Sequence, residues 1–294
     1  MSHTILLAVD GTPSSARAAE LLEGYRGEAD RPKVVVLNVQ SRPVDLWPDA
    51  PIDVRAVESA LLASGQRVAD SVTARMRAAG LQAESAVRLG FAAGAILREA
   101  QSSGAGMILM GTRGHGVFHG FALGSVAMRV AHASAIPVCL VRPEAKLPER
   151  LGRSLRVLLA MDGSEPALRA ARLLASWRGW LGDLDVQIVY AQPPLSYLET
   201  VLPPHGDVIR QWSTQEGESA TQAARELFAK EGIRNHLHLT LGDAATEIIH
   251  SASDTKCELL VLGTRGLGAA HHALIGSVAL KAAAHAAMPV VLVK

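Results

Sequence analysis

The chain has 294 residues with 29 basic and 28 acidic side chains, a net charge of +1; 49% of its residues are apolar and 19% charged. That length suits two domains of ordinary size, about 100–200 residues each, and the apolar content excludes a disordered chain. The evenly interleaved charge leaves no footprint for nucleic acid or an anionic membrane surface.

In chain order the first half alternates short apolar runs with longer helical patterns. "TILLAVD", "KVVVLNV", "AESAVRL", "GMILMG" and "PVCLVR" are short, rich in β-branched residues and bounded by turn signals, and they predict five strands. Between them "SSARAAELLEGY", "DVRAVESALLASGQRVADSVTARMRAAG", "AAGAILREAQSS" and "SVAMRVAHAS" carry apolar residues three and four apart and predict four helices. The second half repeats this order. "ILLAVDGTPSSARAAELL" (5–22) aligns with "VLLAMDGSEPALRAARLL" (157–174), and "LGFAAGAIL" (89–97) with "LGDAATEII" (241–249). One offset relates Asp10 to Asp162, Gly111 to Gly263 and Pro137 to Pro289, so two copies of one domain are expected. The expected boundaries are 1–143 and 153–294. The charged, proline-bearing segment 144–152 between them reads as an exposed linker.

Strand, helix, strand throughout implies an α/β fold: parallel strands, right-handed crossovers and helices on both faces. Runs such as Val34 to Leu37, apolar on both sides, fit strands covered twice. The last strands, "PVCLV" and "PVVLV", are long, apolar and last in sequence. Such edges invite pairing, so the two are expected to meet within the chain as a pseudo-twofold pair.

The stretch "MGTRGHGVFHGFALGSVAM" (110–128) holds too many glycines for a helix or strand. It joins the end of a strand to the start of a helix, on the side of an open α/β sheet where ligands bind. The amides and dipole of the first helical turn make an anion site, Gly124 would admit a phosphate and Ser125 would add a hydroxyl. In one copy a loop end and a serine cap explain the same residues equally well. The second copy keeps Gly-x2-Gly-x9-Gly-Ser as Gly263, Gly266, Gly276 and Ser277. With glycine at about 7% of residues, that register arises by chance roughly once in a few thousand trials. A Walker A loop would need a lysine before the serine, and the dinucleotide fingerprint fails because His119 stands where its third glycine belongs.

Together, the Gly-x2-Gly-x9-Gly-Ser pattern, the Asp-Gly of "AVDG" and "AMDG" and the final "PVCLV" and "PVVLV" strands resemble the universal stress protein family over essentially the whole chain. The resemblance implies two tandem open parallel five-stranded sheets in the order 3-2-1-4-5, paired through their fifth strands, and binding of ATP. It assigns the phosphates to Gly111, Gly114, Gly124, Ser125 and Val126, and to Gly263, Gly266, Gly276, Ser277 and Val278. The adenosine end falls to Asp10 and Val39, and to Asp162 and Ala191. In the second half Ala191 replaces a larger apolar contact, where the sequence departs from the family pattern.

Arg113 and Arg265 follow the first loop glycine in both copies and are within reach of phosphate or of solvent. Mg²⁺ would ride on the phosphates. No histidine metal site is expected, because the spacings of His115, His119, His271 and His272 differ between halves and no carboxylate accompanies them. Cys139 and Cys257 are too few for a disulfide framework and are expected to pack as buried thiols. The start "MSHTILLAVDG" lacks a basic n-region and no apolar run approaches the ~18 residues of a membrane span, so a reduced, cytoplasmic protein is expected. No catalytic group is assigned. The leading expectation is an adenine-nucleotide binder in stress response or signalling with slow or no hydrolysis. An ATP-hydrolysing enzyme of this fold and a scaffold that keeps the loops for folding remain the alternatives, and further homo-oligomerisation and the downstream partner stay open.

Overall fold

The computed structural model describes residues 4–28, 31–42, 53–114, 123–192, 206–266 and 275–294. The first half runs β1 (Thr4–Val9), α1 (Pro13–Glu23), β2 (Lys33–Gln40), α2 (Val54–Ala78), β3 (Gln82–Leu89), α3 (Ala92–Ser102), β4 (Met107–Gly111), α4 (Ser125–Ala133) and β5 (Val138–Val141). The second runs β6 (Ser154–Ala160), α5 (Glu165–Leu181), β7 (Asp183–Gln192), α6 (Gly206–Lys230), β8 (Arg234–Leu241), α7 (Ala244–Asp254), β9 (Leu259–Gly263), α8 (Ser277–His285) and β10 (Val290–Val293). Local chemistry sets several of these starts. Thr12 and Ser164 cap α1 and α5 by accepting from Ser15 N and Ala167 N, and each of these helices has proline in its first turn, where a missing N–H costs nothing.

Within each half the strands are parallel, in the orders β3-β2-β1-β4-β5 and β8-β7-β6-β9-β10, as expected. One expectation needs correction. The halves do not form two separate sheets: β5 and β10 pair antiparallel, and the result is one sheet of ten strands. Cys139 lies opposite Val291, with Leu140 opposite Val290 and Val138 opposite Leu292. Cys139 and Val291 are equivalent residues of the two copies, so the seam has the self-complementary form of a twofold interface inside one chain. Two edge strands that are buried on both faces satisfy their ladders by pairing, which merges the sheets.

Both faces of this sheet are covered. Residues of α1, α2, α5 and α6 form one apolar cluster with the strands, and residues of α3, α4, α7 and α8 form the other. Each cluster draws on both halves: Cys139 and Val141 share one with Val291 and Val293, and Leu140 shares the other with Val290 and Leu292. Cys139 is buried, and burial pushes its thiol up to about 12; Cys257 is also buried and neither is in a disulfide. The segment 144–152 is not the exposed linker its charges predict. Ala145, Pro148 and Leu151 are buried, the Ala145 carbonyl accepts from Arg17 Nε and Nη2 at 2.9 and 2.7 Å, and Lys146 N donates to Ala287 O at 2.7 Å. No described helix is long and apolar enough to cross a membrane.

Each fully buried valine or leucine contributes about 1.5–3 kcal/mol, against about 0.5–1.5 for a net hydrogen bond. Apolar burial therefore outweighs the three-pair ladder at the seam. Leu140→Ala, at a side chain only 1% exposed, is expected to lower the unfolding free energy by about 2–5 kcal/mol. Urea unfolding followed by circular dichroism should stay a single transition because the two cores are continuous. Two resolved transitions would show halves that unfold independently.

Candidate functional site

Chain topology places the site before any side chain is considered. β1 leads into α1 on one face of the sheet, while its neighbour β4 leads into α4 on the other. The chain leaves adjacent strands in opposite directions, and the crevice outside their carboxyl ends is where ligands bind in open α/β sheets. Asp10 follows β1 and Gly111 ends β4, so both stand at this switch point. β6 and β9 repeat the arrangement with Asp162 and Gly263.

In the first half Asp10 is held by the turn that follows it. Its Oδ1 accepts from the Thr12 amide at 3.0 Å and the Thr12 hydroxyl at 2.6 Å, and Gly11 takes a φ of +82° to make that turn. The Thr12 hydroxyl also stands 3.3 Å from the Arg113 carbonyl. A Cβ on Gly114 would lie 3.0 Å from Asp10 Oδ2. The Asp-Gly turn and the glycine loop, one from each strand of the switch point, therefore meet.

The other glycines frame the loop. A Cβ on Gly111 would stand 2.5 Å from Ser14 Oγ and 2.7 Å from its carbonyl carbon, so this glycine lets the start of α1 pack on β4. Ser14 Oγ donates to Val141 O at 3.0 Å and accepts from Arg113 N at 3.3 Å, while Thr112 N donates to Val141 O at 3.0 Å. Gly124 N donates to Thr112 O at 2.8 Å, and a Cβ on Gly124 would lie 3.2 Å from that oxygen. These contacts seat the N-terminus of α4 against residues 112–114. Gly124 caps α4 without a side-chain hydrogen bond, and Gly276 does the same for α8. The N-caps of α1, α2, α5 and α7 supply a side-chain oxygen, whereas that of α3, Phe91, does not. Among the described residues, the N-caps of α4 and α8 thus supply no side-chain acceptor to the first-turn amides. Ser125 and Ser277 are exposed there and Val126 and Val278 half-buried.

The second half repeats the frame with different filling. Ser164 N donates to Asp162 Oδ1 at 3.0 Å, and a Cβ on Gly266 would collide with Asp162 Oδ2. Gly276 N donates to Thr264 O, and Thr264 N to Val293 O, both at 2.7 Å. Pro166 stands where the first half has Ser14, and a Cβ on Gly263 would lie 2.8 Å from it. Arg113 and Arg265 are exposed on their loops.

Val39 and Ala191 stand one strand further out. The ladder of β1 with β2 ends at Val9 opposite Asn38, so Val39 continues past β1 beside Arg88 of β3. Ala191 stands beyond the end of β6 in the same way, opposite Thr240 of β8. Residues missed by motif reading complete this outer end. Asn38 Nδ2 donates to Val9 O at 2.9 Å, and its Oδ1 accepts from Gln40 Nε2 at 2.8 Å. At the equivalent place in the second half Tyr190 is 8% exposed. Burial pushes its phenol up, and the neighbouring Glu216, to which it is hydrogen-bonded, and the Asp162 charge act in the same direction. Gln192 Nε2 donates to Glu216 Oε2 at 3.4 Å. Thr12 and Ser164, also missed, share one signal, a hydroxyl two residues after the aspartate in both copies.

Among the described residues no group of three or more His, Cys, Asp or Glu is placed to hold a metal ion. His115, His119, His271 and His272, with Gly116, Gly120 and Gly268, lie outside the described residues.

Comparison with known proteins bears on the family and the fold. The model of the Universal stress protein family matches residues 1–142 and again 154–294. A universal stress protein of Mycolicibacterium smegmatis is 24% identical over an alignment of 303 residues that covers 99% of this chain and 97% of that protein. A universal stress protein of Thermus aquaticus is 34% identical over 141 residues, 47% of this chain and 97% of that protein. The crystal structure of a universal stress protein from Archaeoglobus fulgidus superimposes with a TM-score of 0.69 at 22% identity, covering 100% of this chain and 97% of that one. The chain therefore belongs to the universal stress protein family, as a tandem of two of its domains.

Proposed function

We propose that the protein binds an adenine nucleotide, ATP, at the switch point of each half and works as a stress-response or signalling binder with slow or no hydrolysis. The observation that carries this reading is the meeting of Asp10 with Gly114, and of Asp162 with Gly266, beside a helix N-terminus whose N-cap is a glycine. A carboxylate can accept from ribose hydroxyls or amines, while helix amides and an exposed serine suit phosphate oxygens. On this reading Gly111, Gly114, Gly124, Ser125 and Val126 frame the phosphates in the first half, as Gly263, Gly266, Gly276, Ser277 and Val278 do in the second. Val39 and Ala191 present the strand end to the base, and Arg113 and Arg265 reach the phosphates from the loop. Mg²⁺ would enter with the nucleotide, held through its phosphates.

The binder reading is favoured over hydrolysis by the residues at hand. Phosphoryl transfer calls for a cationic clamp, carboxylates dedicated to the metal and a group that orients the nucleophile. Among the described residues the frame offers amides, hydroxyls and one arginine per half, and its aspartate is committed to its own turn through Oδ1. ATP turnover by the purified protein is expected to fall far below the enzyme median of about 10 s⁻¹; turnover near that rate would establish the enzyme instead.

Calorimetric titration is expected to show binding of ATP and AMP, and absence of both heat and thermal shift would remove the proposal. A hydrogen bond to a charged group is worth about 1.5–3 kcal/mol, roughly tenfold to a hundredfold in affinity. Ser125→Ala with Ser277→Ala should therefore weaken ATP by about that factor and AMP by less; equal losses would place the serines away from the outer phosphates. Asp10→Ala with Asp162→Ala is expected to weaken both nucleotides by the same factor, since the carboxylates are assigned to the part that ATP and AMP share. A loss confined to ATP would move them to the phosphate end.

A further inference from the structure

Resting on the nucleotide reading above, we infer that the two clefts are unequal: Tyr190 and Glu216 close the nucleoside end of the second, which leaves the first as the tight site. The two copies share a backbone frame but differ beside the aspartate. In the first half a Cβ on Gly11 would meet nothing within 4 Å among the described residues. Asn38, the equivalent of Tyr190, is short, and its amide is tied down to Val9 O and Gln40. The equivalent of Glu216 is the uncharged Ser64.

In the second half α6 lies over the turn. A Cβ on Gly163 would meet Ala220 Cβ at 3.4 Å and its Cα at 3.5 Å, and one on Gly217 would meet the Tyr190 ring at 2.9 Å. The tyrosine ring is thus packed against α6, and its hydroxyl is bonded to Glu216, which also takes the Gln192 amide. Asp162 is near enough for its charge to act on the same phenol. A nucleotide entering here has to part tyrosine from glutamate. It also carries its negative charge into a cleft that holds Glu216 beside Asp162, where the first half has the uncharged Ser64 at the position of Glu216, and like charges disfavour an anion. Bulk and charge act in the same direction.

The test is calorimetric titration of the intact chain with ATP. One equivalent is expected to bind at least tenfold more tightly than a second. Asp10→Ala should remove the tight equivalent and leave the weak one. Glu216→Ser, at an exposed helix position, should strengthen the second site severalfold. Adding Tyr190→Asn should bring the two sites within about threefold, and if that variant does not fold, Glu216→Ser alone decides. Two equal equivalents in the unmodified chain, a tight equivalent that survives Asp10→Ala, or no gain with Glu216→Ser would overturn the inequality. Absence of any binding by the unmodified chain would instead overturn the nucleotide reading, and the inequality with it.

Discussion

The antiparallel pairing of Cys139 with Val291 is the contact on which the rest of the molecule depends. Each half alone would end in a four-residue strand, buried on both faces, whose outer backbone had no partner. Such an edge is a template for association. Joining the two edges satisfies both ladders and makes the apolar clusters continuous across the molecule. The strands left at the margins, β3 and β8, are the polar ones. Gln82, Glu84 and Arg88 punctuate the first, and Arg234, Asn235, His236 and His238 the second. Charge along an edge discourages further pairing, although a surface ion pair such as Lys33 with Glu84 adds little stability of its own. Duplication within one chain makes the seam intramolecular, so its formation does not depend on protein concentration.

The fold was largely legible in the sequence because its signals are local. β-Branched runs marked the strands and three-to-four spacing marked the helices; observed ends differ from the expected ones by a residue or two. The common offset between copies marked the repeat, and proline ahead of apolar final strands marked the seam. Continuity of the sheet was harder to read. Periodicity tells which side of a strand is covered, but it does not tell whether two sheets that touch are one. The segment 144–152 misled for a related reason. Its charged residues speak for solvent, yet Ala145, Pro148 and Leu151 point inward between them, and composition averages over that alternation.

The site was legible as a frame and less so as a mechanism. The family resemblance assigns Gly111 to the phosphate frame, and the space its missing side chain leaves is taken by Ser14, so it shapes that frame by letting α1 pack on β4. A glycine spared for packing and one spared for a ligand look the same in sequence. Thr12 and Ser14 hold the loop through hydroxyls, and hydroxyls this common in turns give little signal on their own. The change from Asn38 to Tyr190 can be read off the repeat. Its meaning depends on Glu216 in a helix far along the chain, and only the packing of α6 brings the two together.

Seam and site are not separate features. The Val141 carbonyl, at the end of a seam strand, accepts both the Thr112 amide and the Ser14 hydroxyl, and Thr112 O in turn receives Gly124 N at the start of α4. Val293 receives the Thr264 amide and Thr264 O receives Gly276 N in the other half. Each glycine loop therefore hangs from the end of the strand that joins the halves. Because β5 and β10 run in opposite directions, the carboxyl ends of the two sets of strands lie at opposite margins of the sheet, and the loops with them. Among the described residues the two crevices share the seam strands as scaffold but no residue of either frame, so the glycines can recur in both halves while Asn38 and Ser64 of one stand where the other has Tyr190 and Glu216.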